Sequence, residues 1–267
     1  MRIRIDLAYD GAGVHGWAVQ PGLRTVQGDL QHSLATVLRL PEIAVVCAGR
    51  TDTGVHARGQ VVHADVPEGT ACAGLRRRVN GVLAPDVRVR AVREAPDGFD
   101  ARFSALWRRY AYRLADTPEL VDPLVRGSVV AWSRPVDLHA MNAAGAALLG
   151  LRDFAAFCRR REGATTVRTL LELRWDRDAT GLAVATVRAD AFCHSMVRSL
   201  VGCLLAVGEG RREPPWAAEV LGAGVRDAAV TVAPAHGLTL EEVAYPDDTD
   251  LASQASAARR RREAVSG

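Results

Sequence analysis

Ile3, Ile5 and Leu7 alternate with Arg2, Arg4 and Asp6 at the start of the chain, a period of two that predicts a half-buried β-strand. Val26, Leu30, Leu34, Val37 and Leu38 then recur at helical spacing, so an amphipathic helix is expected over about 25–40. Short apolar stretches near 43–48 and 60–66 read as two more strands. Leu75, Val79 and Leu83 predict a second helix, and Val87, Val89 and Ala91 alternate as a closing strand. The first hundred residues therefore spell β-α-β-β-α-β, the ferredoxin-like order.

The second half repeats this order without repeating its sequence. A strand is expected at 102–114, a helix at 137–149, strands at 167–176 and 182–190, and a helix at 195–207. Strands at 230–233 and 238–245 close it, with a short helix before them opened by Pro214-Pro215. The Pro-rich stretch 117–135 reads as an ordered loop or insertion inside this unit. The expected fold is α+β, two ferredoxin-like β-α-β-β-α-β units with an active-site cleft between them. Its divisions are an N-terminal domain over 1–100, a C-terminal domain over 101–247, and a disordered Arg-rich tail over 248–267.

Composition narrows the classes of function. Of 267 residues 48% are hydrophobic, enough for a packed core, yet no apolar run reaches the roughly 18 to 20 residues of a membrane span. The opening residues alternate like a strand rather than reading as a signal peptide, so no membrane and a cytoplasmic location are expected. The five cysteines are scattered, apolar in setting and without a C-x-x-C pair, which points to buried reduced thiols. The seven histidines are equally dispersed, so neither a metal nor another cofactor is expected. Net charge is only 34 − 31 = +3, but every basic residue is Arg, and these cluster at 76–78, 108–109, 159–161, 211–212 and 259–262. Arginine forks onto phosphate and stacks on bases, so Arg76, Arg77, Arg108 and Arg109 are candidate RNA contacts, although a solvated charged face explains any single cluster as well.

One segment concentrates the chemistry. In Gly49-Arg50-Thr51-Asp52-Thr53-Gly54-Val55-His56-Ala57 an apolar strand runs into a glycine-bracketed turn that carries one Arg and one Asp. On local chemistry alone, an Asp beside Gly and Thr hydrogen-bonds its own turn. The segment nevertheless resembles the signature of the bacterial tRNA pseudouridine synthase A family, spelled without departure. Further segments are similar to the same family: Tyr9-Asp10-Gly11 with Gly16-Trp17 and Thr25-Val26-Gln27-Gly28, then Phe99 to Ala105 with Arg108-Arg109-Tyr110-Ala111-Tyr112-Arg113. Phe192 with Met196-Val197-Arg198 and Val201-Gly202, and finally Ala235 to Leu240, complete the set. Ala12 and Val14-His15 depart from the usual opening motif, and Cys193 stands where Leu is usual.

That resemblance implies the pseudouridine synthase fold and isomerisation of uridine at positions 38, 39 and 40 of the tRNA anticodon stem-loop, without cofactor, by a homodimer. It implies that Asp52 acts in glycosidic cleavage, attacking either the sugar C1′ or the uracil ring. Arg198 is expected to pair with Asp52 and keep it charged, and the apolar neighbours Met196, Val197, Leu200 and Val201 favour an inward-facing arginine. Tyr110 is expected to stack on uracil and to help remove the C5 proton, whereas Tyr112 reads as core. Arg50 is expected at the RNA as the base leaves the stem, Leu240 against the flipped base, and His56 and His63 in structural roles. Two other classes remain to be separated: an inactive tRNA-binding protein on this scaffold, and a carboxylate-dependent nucleoside hydrolase, which would ordinarily need a second carboxylate.

Overall fold

The computed structural model, which describes residues 1–159 and 165–266, places Ile3, Ile5 and Leu7 inside strand β1 (Arg2–Tyr9), all three buried. Helix α1 (Val26–Leu38) starts where the Thr25 side chain accepts a hydrogen bond from the Gly28 N–H, and it buries Val26, Leu30, Leu34 and Val37. Strands β2 (Val45–Cys47) and β3 (His56–Asp65), helix α2 (Leu75–Val82) and strand β4 (Val87–Glu94) follow in the expected order. α2 buries only Leu75 and Val79 and turns its arginines outward.

The described chain divides into two units, Met1–Arg108 with Leu240–Arg261, and a second built on Arg109–Thr239. In the first, β1 lies antiparallel between β3 and β4, β2 pairs antiparallel with β3, and β10 (Leu238–Ala244) borders β3. The last strand thus joins the first unit, and the division expected at residue 100 falls after Arg108.

In the second unit the order is β5 (Trp107–Ala115), β9 (Ala183–Ala189), β8 (Val167–Arg177) and β7 (Gly150–Asp153), with β8 antiparallel to both β7 and β9. The two-residue strand β6 (Val130–Ala131) pairs parallel with β5 inside the Pro-rich stretch, which is ordered. Helix α3 (Leu138–Ala146) begins at Asp137, whose carboxylate accepts from the His139 and Ala140 N–H groups. It packs on β8 and on α4 (Met196–Gly208), and α5 (Trp216–Ala223) follows Pro214-Pro215 as expected. The architecture is mixed α/β, with mostly antiparallel strands and six α-helices among the described residues.

Four expectations are corrected. The segment 230–233 is not a strand; Val230 and Ala233 are buried against α4, where Ala233 N–H bonds the Arg198 carbonyl at 3.0 Å, so a helix face satisfies an apolar run that reads like β. β7, too polar and short to show a period, lies where only a connection was expected. The tail is helical: α6 (Leu251–Ser266) buries Leu251 and Ala255, and Arg259 bonds Asp100 at 2.7 Å while lying over the Phe103 ring. Two apolar residues and one ion pair, invisible in a composition rich in Ala, Ser and Arg, anchor it. Finally, Cys158 and Cys193 are joined as a disulfide with Cα atoms 5.7 Å apart, and Cys47, Cys72 and Cys203 are free. A separation of 35 residues, with no C-x-x-C spacing, concealed that pairing. Of the expected cluster at 159–161, Arg160 and Arg161 lie outside the described residues.

Candidate active site

The turn between β2 and β3 carries the Asp. Of its bracketing glycines only Gly54 takes a positive φ, 81°, a conformation that a side chain would strain, and this lets the Val55 N–H reach the Asp52 carbonyl at 3.1 Å. Thr51 is buried, Asp52 is half-buried and Arg50 is exposed. The chain therefore anchors the residue before the carboxylate while leaving the Asp52 position in reach of solvent. At the turn's exit His56 is buried, its Nδ1 3.0 Å from the Gly11 N, which places it in the framework. His63 is likewise a framework residue, its Nδ1 accepting from the Ala101 N–H at 2.9 Å. Burial and the Arg2 charge both pull the His63 pKa below its ordinary value, so it is neutral at physiological pH.

The second unit holds the other candidates. Alternation along β5 does put Tyr110, Tyr112 and Leu114 inside, with exposures of 6%, 0% and 0%. The Tyr110 ring meets the Phe192 ring edge-on, centroids 5.1 Å apart and planes at 90°. An aromatic pair of this kind fixes a ring that still keeps a small open edge. Tyr112 is core: its hydroxyl donates to the Pro234 carbonyl at 3.0 Å, and burial raises its pKa while the charge of Arg198 opposes that rise.

Arg198 stands out within α4. Twelve of the helix's thirteen residues are buried, and Arg198 alone is only partly so. Burial of Leu200, Leu204 and Leu205 contributes about 2 kcal/mol each, which forces the helix inward and takes the arginine with it. Its Nε donates to the Ala233 carbonyl at 2.7 Å. A guanidinium gripped by Nε has its direction set by the protein before any substrate arrives.

The remaining candidates divide. Arg76 and Arg77 are exposed on α2, and Arg109 is half-buried on β5. Arg108 is corrected: it is 7% exposed, and its Nη2 donates to the Ala48 carbonyl at 2.8 Å, so it braces the strand that enters the Asp turn instead of presenting a surface to phosphate. Leu240 is also corrected, since at 0% exposure it is core and offers no face to a base. Asp52, Arg50 and Leu240 belong to the first unit, Tyr110 and Arg198 to the second. Sequence reasoning missed the roles of Phe192 and the Ala233 carbonyl, and it missed the fully buried Gln60, whose polarity inside an apolar strand was a readable signal. Among the described residues no group of three or more His, Cys, Asp or Glu side chains is placed to hold a metal ion. Nor is any described helix long and apolar enough to cross a membrane.

A strand-end carboxylate on a tight turn, a clamped arginine and an aromatic-braced tyrosine are parts suited to charge-assisted work on a planar substrate. The family model for tRNA pseudouridine synthase matches residues 144–246. Over 97% of this chain and 94% of the relative, the sequence is 60% identical to the tRNA pseudouridine synthase A of Frankia casuarinae. The Streptomyces griseus protein of that name is 57% identical over 97% of this chain and 93% of its own, and that of Mycobacterium leprae is 51% identical over 96% and 93%. The chain belongs to the tRNA pseudouridine synthase A family.

Proposed function

We propose that this protein isomerises uridine to pseudouridine in tRNA, at positions 38, 39 and 40 of the anticodon stem-loop, as a cytoplasmic homodimer. What carries the reading is the intact Gly49-to-Ala57 turn, with Asp52 at the end of an apolar strand, in a chain 60% identical to a protein named for this activity. The reaction breaks the bond from uracil N1 to ribose C1′, turns the base and joins C1′ to C5; the C5 proton is lost to water and one proton is taken up at N1, so the product is an isomer of the substrate. Its demands are an ionised carboxylate, a hold on the detached base and a route for one proton, none of which requires a cofactor.

Asp52 supplies the carboxylate, and Arg198 is the cation that keeps it charged and oriented. Tyr110 stacks on the uracil and assists loss of the C5 proton. Unstacking a base costs a few kcal/mol, and Arg50, exposed beside Asp52, braces the place the base leaves. Arg76, Arg77 and Arg109 contact phosphates, a mode that reads A-form shape and suits work at three neighbouring positions. The same proposal takes the two units as ferredoxin-like; in the first, β1 lies between β4 and β3 while β2 pairs with β3, which supports this.

The test uses unmodified tRNA tritiated at uracil C5. Release of tritium to water by the native protein, and none by Asp52→Ala, is the expected result. No release above the variant would overturn the proposal, and free uracil among the products would reassign the protein as a hydrolase.

A further inference from the structure

Beneath the Asp52 turn lies a chain of buried hydrogen bonds that no catalytic role accounts for. Gln60, on β3, has no exposed surface, and its Nε2 donates to the Gly49 carbonyl at 2.7 Å and to the Tyr9 hydroxyl at 3.2 Å. The Tyr9 hydroxyl lies 2.7 Å from Thr51 Oγ1. An amide N–H can only donate, so the phenol oxygen accepts from Gln60, while between the phenol and the Thr51 hydroxyl either can donate. Burial pushes the Tyr9 pKa well above its ordinary value, which keeps the phenol protonated across the physiological range. Both ends of the chain therefore land on the turn, at Gly49 and at Thr51, one residue before Asp52.

The strands are shaped to allow this. β1 and β3 pair regularly as far as Leu7 opposite Gln60, and the register then shifts so that Tyr9 faces Ala57, with Arg58 and Gly59 opposite the single residue Ala8. An irregularity of this kind re-aims side chains at the end of a strand. Gly16 and Trp17 also close on the turn: the Trp17 N–H bonds the Thr51 carbonyl at 3.0 Å, and Gly16 has φ of 81°. A Cβ on Gly16 would stand 2.9 Å from the Thr51 carbonyl oxygen and 3.1 Å from the Asp52 carbonyl carbon. Thr51 is thus held through both its side chain and its main chain.

Using the assignment of Asp52 as the reacting carboxylate, we infer that Gln60, Tyr9 and Thr51 are positioning residues, a buried relay that sets where the Asp52 carboxylate stands. None touches the substrate. Displacing a reacting group by about 1 Å costs on the order of a hundredfold in rate, and the relay is a side-chain link between the turn and the sheet. Without it the turn keeps two main-chain bonds, from the Val55 N–H to the Asp52 carbonyl and from the Trp17 N–H to the Thr51 carbonyl, and neither fixes the Thr51 side chain.

The experiment compares Tyr9→Phe, Thr51→Val and Thr51→Ser with the native protein for single-turnover tritium release, tRNA affinity and thermal midpoint. Asn142→Ala serves as a control for lost stability, because Asn142 exchanges its hydrogen bonds with Trp175 in the other unit. Tyr9→Phe and Thr51→Val are expected to lose roughly ten- to a hundredfold in the chemical step with tRNA affinity within about threefold. Thr51→Ser, which keeps the hydroxyl, is expected to recover most of the rate, and Asn142→Ala to lose stability with little loss of rate. The inference is overturned if Tyr9→Phe and Thr51→Val stay within about threefold of the native rate, or if their rate loss follows affinity or thermal midpoint as in the control. Asp52→Ala separates the two levels of argument. If it is inactive while the relay variants are unimpaired, only the positioning role fails; if it is active, the assignment of Asp52 itself fails.

Discussion

Arg198 and Ala233 bond each other twice: the Ala233 N–H donates to the Arg198 carbonyl at 3.0 Å, and Arg198 Nε donates to the Ala233 carbonyl at 2.7 Å. The first bond ties the segment to the helix and the second aims the side chain. Lysine could repeat the first, which is main chain, but its single ammonium cannot bond Ala233 and also offer a planar fork. Arg198→Lys is therefore expected to lower turnover by about a hundredfold, with tRNA affinity changed less than about threefold. Tritium release and filter binding read the two effects, and equal losses would make Arg198 a phosphate contact.

The two tyrosines of β5 make a matched pair for testing. Tyr112→Phe removes a hydroxyl bonded to the Pro234 carbonyl, at a cost of about 1 kcal/mol, or about 2–4 °C in thermal midpoint, and most activity should survive. Tyr110→Phe is expected to retain the edge-on packing against Phe192, and with it the fold, while losing turnover by at least about tenfold. Calorimetry beside tritium release distinguishes them.

Arginines that look alike in sequence should separate by salt dependence. Arg76→Ala and Arg77→Ala are each expected to weaken tRNA binding and to flatten the slope of log affinity against log salt by about one unit, because one fewer phosphate is neutralised. Arg108→Ala should leave that slope unchanged and lower stability, because its guanidinium is spent on the Ala48 carbonyl. Titrations at several salt concentrations, with urea unfolding, test both claims.

Asp116, with no exposed side-chain surface, accepts from Arg177 Nη2 at 2.7 Å and from the Val136 N–H at 3.1 Å. The Arg177 bond, aided by that amide and opposed by burial, holds its pKa below the ordinary carboxylate value of about 3.9. The stabilisation is complete above the unfolded-state pKa and is lost as pH falls through the lower folded-state value. Asp116→Asn is expected to cost about 1–3 kcal/mol at pH 7, with the difference from the native protein shrinking below about pH 4. Urea midpoints across that range measure it.

The Cys158–Cys193 pairing predicts a thiol count. Alkylation of the protein unfolded without reductant should label three cysteines, and after reduction all five. Closing a loop of 35 residues contributes about 4 kcal/mol on chain-entropy grounds, so reduction should lower the thermal midpoint. Five labelled thiols without reductant would contradict the pairing.

The sequence by itself determined the periodic elements and the chemical inventory. Ile3-Ile5-Leu7, the stripe from Val26 to Leu38 and the nearly all-buried α4 were legible because burial of one face imposes a period that residues within one element report. The Asp52 turn was legible as a motif, since its glycines and polar residues are adjacent in the chain. Only tertiary structure decided the partners. Arg108 differs from Arg77 through carbonyls 60 and 6 residues away, and Leu240 differs from an exposed leucine through the sheet around it. The tail became a helix because Asp100 and Phe103 receive Arg259, and 230–233 left the sheet because α4 offered its backbone bonds. Periodicity records whether a residue is buried within its own element; which distant donor, acceptor or ring meets it is a property of the folded chain, where residues far apart in sequence become neighbours.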